Sequence, residues 1–356
     1  MRVVFDSIIY ELQRAGGISL YWSELISRAD PLSSIFCGKP NDNIFSPNIA
    51  FVEESYPSFL PRRYLPFWMK GGVGKSHIFH SSYLRFSSDS AALNVSTVHD
   101  FTYERYIHGL KGFVHGLQKR LAVKQSAGVI CVSENTKADL LNFYPWVDER
   151  RVRVIYNGVG RSFFPLNDAK ALLTSELGYF SKRPFLLFVG DRSLYKNFDI
   201  FLQLGKIFLE FDLVVVGGQA FSSEEKNNLS SISSRVKHFR GLSSESLNIL
   251  YGSAFCLIYP SSYEGFGIPV LEAMKAGCPV ISTRCSSIPE VAGEAALLVD
   301  SVSVDAFVDQ LNALMSPELY EALRQKGYVQ ASKFSWDKCF KETTDFYKEV
   351  WDALRT

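Results

Sequence analysis

The chain of 356 residues holds only six cysteines, and no two of them form a Cys-x-x-Cys pair. Cys37, Cys131, Cys256, Cys278, Cys285 and Cys339 are scattered, most of them in apolar runs, where a reduced thiol packs as a small hydrophobe. This usage excludes a disulfide framework or a zinc knuckle and points to a reducing cytosol. No apolar run reaches about 18 residues, so no membrane-spanning helix is expected. The opening Met1-Arg-Val-Val-Phe-Asp6 leads straight into a strand, without the pattern of a signal peptide. Net charge is also missing: 38 basic against 37 acidic residues leave +1, which argues against nucleic acid as the main partner.

What is present suits a globular protein, with 47% hydrophobic and 21% charged residues. The length favours about two domains over one. Charge divides unevenly, with 19 basic and 14 acidic residues up to Pro165 and 19 and 23 after it. Short apolar runs at Val3 to Phe5, Val95 to Val98, Val129 to Val132 and Val152 to Ile155 alternate with helix-length amphipathic segments. An irregular stretch follows Asn157-Gly158, and the rhythm restarts at Phe185 to Val189, Leu213 to Val216, Cys256 to Tyr259 and Pro279 to Ile281. Such alternation predicts α/β architecture with parallel sheets. Two doubly wound, Rossmann-like domains follow, over residues 1–165 and 166–335, with a linker near 158–183. A last amphipathic helix spans 336–356. In open parallel sheets ligands bind at the carboxyl ends of the strands, so the loops there are where function is sought.

The richest of these loops is Ser261-Ser-Tyr-Glu264-Gly-Phe-Gly-Ile-Pro-Val-Leu-Glu272. It sets two carboxylates eight residues apart around a glycine turn, with Pro269 suited to open a helix and Gly277 to end it. The amides of Gly265, Phe266 and Gly267 lie where a helix N-terminus favours an anion. Glu264 projects toward whatever a bound phosphate carries, and Glu272 is able to accept hydrogen bonds from vicinal hydroxyls. On spacing alone, Glu272 equally well serves the helix dipole. A second loop, Gly190-Asp-Arg192-Ser-Leu-Tyr-Lys196-Asn197, places two cations four residues apart before a helix, where they oppose the dipole unless an anion is bound.

The two carboxylates, followed by Ala-Gly277-Cys-Pro279 and Ile288-Pro-Glu290-Val-Ala-Gly293, resemble the E-x7-E signature of retaining glycosyltransferases of family 4. Further motifs match in order over nearly the whole length. The resemblance implies the GT-B fold, two Rossmann-like domains facing across a cleft, with the C-terminal helix crossing back to the first. It implies that 1–165 is the acceptor side and 166–335 binds a nucleotide-diphospho-sugar donor. Glu264 then lies by the transferred sugar and Glu272 holds the ribose. Arg192 and Lys196 hold the diphosphate, where fixed cations stabilise the charge that develops as the sugar leaves. Asp-x-Asp is absent from the chain, so no metal and no cofactor are expected.

Three more loops join on the same resemblance. Gly16 and Gly17, after the first strand, match a Gly-Gly loop beside the donor phosphates, with Ser19 placed to cap the helix. His99, in Thr97-Val-His99-Asp100, faces the transferred sugar, with Asp100 as a weaker acceptor-side candidate. Ser133 in Ser133-Glu-Asn-Thr136 is either a donor-side residue or simply a helix cap. Two apparent motifs are set aside. Gly71-Gly-Val-Gly74-Lys75-Ser76 lacks the first glycine of a P-loop, since Met69 stands there. His77 and His80 fall on opposite faces of a strand and pack rather than chelate.

Arg62-Arg63-Tyr64-Leu-Pro-Phe67-Trp68-Met-Lys70 interleaves cations with aromatics, and Lys111, Lys119, Arg120 and Lys124 follow at helical spacing. Both suit an anionic headgroup layer, and equally a loop packed on its own domain. The resemblance implies a glycan or lipid-linked glycan acceptor in bacterial surface-polysaccharide assembly (lipopolysaccharide O-antigen), with GDP-mannose the preferred donor. The expected location is cytoplasmic, peripheral on the inner face of the membrane. Alternatives are a non-catalytic nucleotide-sugar-binding subunit and a GT-B epimerase.

Overall fold

The computed structural model describes residues 1–39, 41–54, 62–68, 73, 76–180 and 183–353. It forms two compact units, Met1–Gly158 with Trp336–Thr356, and Val159–Ser335.

The first unit carries a parallel sheet of β1 (Val3–Asp6), β2 (Ser34–Gly38), β3 (Val52–Glu53), β4 (His77–Ser81), β5 (Ala92–Val98), β6 (Gly128–Cys131) and β7 (Val152–Val154), in the order β3-β2-β1-β4-β5-β6-β7. The order reverses between β1 and β4, the topological switch of a doubly wound sheet. Strands β1, β4 and β6 are buried along their whole length; β1 and β6 accordingly read as apolar runs without alternation, whereas β4 buries His77, His80 and Ser81. The final helix, Trp336–Ala353, belongs to this unit and buries Trp336, Cys339, Thr343, Phe346, Tyr347 and Val350. That spacing marks one face of an α-helix. A side chain at Gly128 would meet Val350 at 2.7 Å and Phe346 at 2.8 Å, so glycine lets the helix lie close against the start of β6. Beneath it His80 bonds Tyr347 at 2.6 Å and Thr97 at 2.9 Å. Burial pushes this imidazole down to about 3, and it acts as a neutral pin between strand and helix.

The second unit carries β8 (Phe185–Val189), β9 (Asp212–Val216), β10 (Val236–Phe239), β11 (Cys256–Tyr259), β12 (Val280–Thr283) and β13 (Leu297–Val299), again parallel, in the order β10-β9-β8-β11-β12-β13. Its switch lies between β8 and β11. Leu186, Phe188, Leu213, Val215, Ile258 and Ile281 stand in its core against Phe201 and Leu204 of the helix Phe198–Ile207.

Two expectations about the division of the chain are corrected. Residues 159–165 belong to the second unit, because Phe163 packs on Tyr251, Phe164 exchanges hydrogen bonds with Asn248, and Lys275 bonds the Gly160 carbonyl at 2.8 Å. The stretch taken for a linker also contains a helix, Ala169–Leu177, capped by the Asp168 side chain and closed by left-handed Gly178.

Of the basic and aromatic segments, two cations turn inward. Arg62 is buried, held by Glu11 at 2.9 Å and by Glu54 at 3.2 Å, while Arg85 also binds Glu54 at 3.0 Å. Lys119 is equally buried, bonding Glu104 at 2.7 Å and the Asp100 carbonyl at 2.8 Å. A buried charge needs a partner, and Arg62 and Lys119 find theirs within the domain, while Tyr64 and Trp68 stay about half exposed. Met69, Lys70 and all of the apparent P-loop except Val73 and Ser76 lie outside the described residues.

Candidate active site

At the switch of the second unit, the loop after β8 meets the loop after β11. Asn197 takes a left-handed conformation, φ 47°, and its amide donates to the Pro260 carbonyl and the Ser262 hydroxyl, each at 2.7 Å. This ties the loops and fixes Lys196, whose ammonium donates to Glu264 Oε1 at 2.5 Å and to the Tyr259 hydroxyl at 3.2 Å. Burial opposes the charge on Lys196, but the adjacent Glu264 carboxylate, helped by Tyr195 and Asp191, outweighs it, and the ammonium holds its proton more tightly than usual. The structure therefore brings Lys196 and Glu264 into one buried ion pair.

The glycine turn after Glu264 is pinned from a third strand. Ser286 accepts from the Glu264 amide at 2.7 Å, and Ser287 donates to the carbonyls of Glu264 and Phe266 at 3.0 Å. Gly267 stands at φ 99°, a conformation open to glycine at little cost, and heads the helix Ile268–Ala276 with proline in its first turn. In that helix Glu272 is buried and accepts from the Tyr251 hydroxyl at 3.0 Å. Burial pushes its carboxyl up to about 7, against the pull of the Tyr251 hydrogen bond. A carboxyl held half-protonated near neutrality accepts more strongly once hydroxyl donors arrive to stabilise its charge.

Arg192 stands apart from this group. Its guanidinium binds Glu225 at 2.5 Å and the Gln219 carbonyl at 2.7 Å, and lies 4.7 Å from the centre of the Phe221 ring. Glu225 also closes a capping box with Ser222 at the head of the helix Ser223–Leu229, so Arg192 is built into the loop that follows β9.

In the first unit the switch is closed by Asp6, which accepts from Ser81 and Ser82 at 2.6 to 2.8 Å. Gly16 and Gly17 do not follow β1 directly: the short helix Ile8–Leu12 intervenes, and the pair stands between it and the helix Gly17–Ile26, which Gly17 begins. Ser19 does not cap that helix; its hydroxyl donates back to the Gly16 carbonyl at 3.0 Å. His99 follows β5, edge-on to Tyr21 at 4.9 Å, and its Nε2 is buried without a hydrogen-bond partner among the described residues. Burial pushes this imidazole down to about 4, with Asp100 opposing, so it is neutral. Asp100 accepts from the Thr102 amide at 2.9 Å in a local turn. Ser133 accepts from the Thr136 amide at 3.0 Å and donates to its hydroxyl at 2.9 Å, which is the work of a helix cap.

Tyr251, Tyr259, Asn197, Ser286 and Ser287 escaped the sequence reading. Lys196-Asn197 next to a glycine turn was a signal for Asn197, and Tyr259 ends the strand five residues before Glu264; Tyr251, Ser286 and Ser287 act from neighbouring elements. Among the described residues no three His, Cys, Asp or Glu side chains are grouped to hold a metal, and no helix is long and apolar enough to cross a membrane.

Two doubly wound sheets, with a terminal helix returned to the first, and a glycine turn flanked by two carboxylates at the switch of the second define a GT-B glycosyltransferase. The model for Glycosyltransferase Family 4 matches residues 27–162, and that for Glycosyl transferases group 1 matches residues 172–330; the chain belongs to the family 4 glycosyltransferases. It is 28% identical over 311 residues to O-antigen chain mannosyltransferase B of Escherichia coli, covering 83% of this chain and 79% of that one. It is 31% identical over 185 residues to O-antigen chain mannosyltransferase RfbU of Salmonella typhimurium, covering 51% and 49%. Sucrose-phosphate synthase from Thermosynechococcus elongatus has the same fold, with TM-score 0.77, 17% identity and coverage of 99% and 100%. So does Anabaena HepE, solved with UDP and glucose, with TM-score 0.76, 15% identity and coverage of 98% and 99%.

Proposed function

We propose that the chain is a retaining, metal-independent mannosyltransferase, taking its sugar from GDP-mannose and delivering it to a glycan or lipid-linked glycan in surface-polysaccharide assembly. The observation that carries the reading is the Lys196–Glu264 pair beside the Gly265–Gly267 turn. The choice of mannose is supported by the two O-antigen mannosyltransferase relatives.

The donor diphosphate lies against the amides of Gly265, Phe266 and Gly267, with Lys196 as the charge that stabilises it as the sugar departs. Glu264 holds Lys196 in place and orients the sugar. Glu272 takes the two ribose hydroxyls, which supply the donors that its buried carboxylate lacks. In the first unit, Gly16 and Gly17 serve the donor phosphates by backbone contact, and neutral His99 offers its unpartnered Nε2 to the sugar. Asp100 serves the acceptor side weakly, and Ser133 acts only through its helix. Arg192 contributes once a diphosphate competes with Glu225 for its guanidinium. Retention proceeds by front-face attack, the leaving phosphate taking the acceptor proton. The protein works in the cytoplasm, at the inner face of the membrane.

Slow donor hydrolysis tests this without an acceptor. Thermal shift with GDP, UDP and dTDP ranks the base, and free mannose released from GDP-mannose is then measured for the native protein and for Glu264→Gln. Release that is abolished by the substitution supports the reading. Binding without release in the native protein indicates a non-catalytic nucleotide-sugar-binding subunit instead.

A further inference from the structure

The helix Gly17–Ile26 of the first unit buries Tyr21, Trp22, Leu25 and Ile26, and a leucine or phenylalanine at position 21 would serve that packing. Tyrosine instead carries a hydroxyl into a place with no exposure to solvent, which costs free energy unless the group finds a partner. The partner is Thr97 Oγ1 at 3.2 Å. Thr97 also meets His80 Nε2 at 2.9 Å, and His80 Nδ1 meets the Tyr347 hydroxyl at 2.6 Å. The Tyr21 hydroxyl therefore ends a line of four buried polar side chains that starts on the terminal helix and crosses β4 and β5.

The ring of Tyr21 packs on His99, with centroids 4.9 Å apart and planes at 85°. Trp22 at 5.3 Å and Trp336 at 6.0 Å pack edge-on to Tyr21 as well, and Trp336 is the residue at which the chain re-enters the first unit. His99 is the first residue beyond β5 and stands two from Thr97, so both side chains project to the same side of the strand. Tyr21 touches them both, one by its hydroxyl and the other by its ring. His99 Nε2 has no hydrogen-bond partner among the described residues, so no polar contact at that nitrogen sets the angle of the imidazole. The packed ring does so.

We infer that Tyr21 is a positioning residue: it holds the His99 imidazole at one angle, and the line from Tyr347 through His80 and Thr97 holds Tyr21. Its part in the reaction rests on the reading of His99 as facing the transferred sugar, but its hold on the ring is measured separately. An aimed group loses much of its contribution to rate when it is displaced by about an ångström, so the loss falls on turnover rather than on donor binding.

Mannose release from GDP-mannose is measured for the native chain, Tyr21→Phe and Tyr21→Leu, each also combined with His99→Ala. Tyr21→Leu should lower kcat about tenfold with the donor KM within about twofold, while Tyr21→Phe, which keeps the ring, should stay within about threefold of native. Once His99→Ala is in place, Tyr21→Leu should cost no more than about twofold further. Equal losses in both backgrounds, or full kcat in Tyr21→Leu, overturn the inference, since Tyr21 then acts on the fold alone or not at all. Magnetic resonance of histidine-labelled protein reads the imidazole directly, with the His99 signals assigned by their absence in His99→Ala. They should form one narrow set with Overhauser contacts to the Tyr21 ring, persist in Tyr21→Phe, and shift or broaden in Tyr21→Leu. A native imidazole that averages between orientations, or one undisturbed in Tyr21→Leu, also overturns the inference; should Tyr21→Leu fail to fold, the native spectrum still decides. If the native chain releases no mannose, or His99→Ala releases it unchanged, the part given to His99 fails by itself, and the spectra alone decide whether Tyr21 holds the ring.

Discussion

Glu272→Gln separates what the buried carboxyl costs the fold from what it does for the donor. Burial carries this group from 4.5 to about 7, so between those pH values the folded protein binds more protons at this position than the unfolded chain. Stability from this group is therefore complete below pH 4.5, falls as pH rises through the window, and is level above about 7. At about 1.4 kcal/mol per pH unit, the ionised carboxylate costs about 3 kcal/mol at pH 8.5. Glutamine keeps an oxygen for the Tyr251 hydroxyl and carries no charge. Calorimetry of both proteins at pH 4.5 and at pH 8.5 should find nearly equal melting of the second unit at the lower pH. At the higher pH the variant should melt up to roughly 10 °C above the native chain. The same variant should bind nucleotide about tenfold to a hundredfold less tightly at pH 8.5, because hydrogen bonds to a charged acceptor are lost. A melting difference that is the same at both pH values would refute the burial argument. Unchanged nucleotide affinity would remove Glu272 from the ribose.

Lys196→Met should abolish transfer and cost about 3 kcal/mol or more by leaving Glu264 charged and buried alone; adding Glu264→Gln should restore melting but not turnover, as read by calorimetry and mannose release. Glu225→Ala frees the Arg192 guanidinium and should tighten donor binding severalfold in calorimetric titration, whereas Arg192→Ala should lower turnover more than donor affinity. Tyr347→Phe leaves His80 Nδ1 unpaired in the core and should lower the stability of the first unit by about 1–3 kcal/mol in urea unfolding. Mannose transfer should proceed equally with and without excess chelator, measured by product formation.

Most central strands were legible because both sheets bury them on two faces, which favours short apolar runs; β4 was not, since it buries His77, His80 and Ser81 instead. Edges were harder: β3 has two residues, and β10 and β13 are only partly buried, so their apolar signal is short. The loops bearing Lys196, Glu264 and Glu272 were legible because glycine, proline and charge recur there at fixed spacing. What each charge touches was not. Arg192 and Lys196 look equivalent in the chain, yet one turns to Glu225 on a neighbouring helix and the other to Glu264, 68 residues away. Composition likewise left Arg62 and Lys119 open between a surface and an internal place, since nothing local reveals that Glu54 and Glu104 pair with them. The division near residue 158 was blurred because residues 159–165 lack periodicity and take their place from Asn248 and Tyr251.

The terminal helix has a consequence for biosynthesis. Its buried face, Trp336 to Val350, completes the first unit, so residues 1–158 leave the ribosome without the surface that covers β5 and β6. All of residues 159–335 must be translated before that cover exists, a delay on the order of ten seconds at ~5–20 residues per second. The second unit, continuous in the chain, is free to fold during that interval. The first begun is thus the last finished, and its uncovered sheet depends in the meantime on partial collapse or on a chaperone. Nonsense mutations that remove only the last turns of the chain should therefore act as folding lesions of the first domain, although every residue proposed for chemistry is still present.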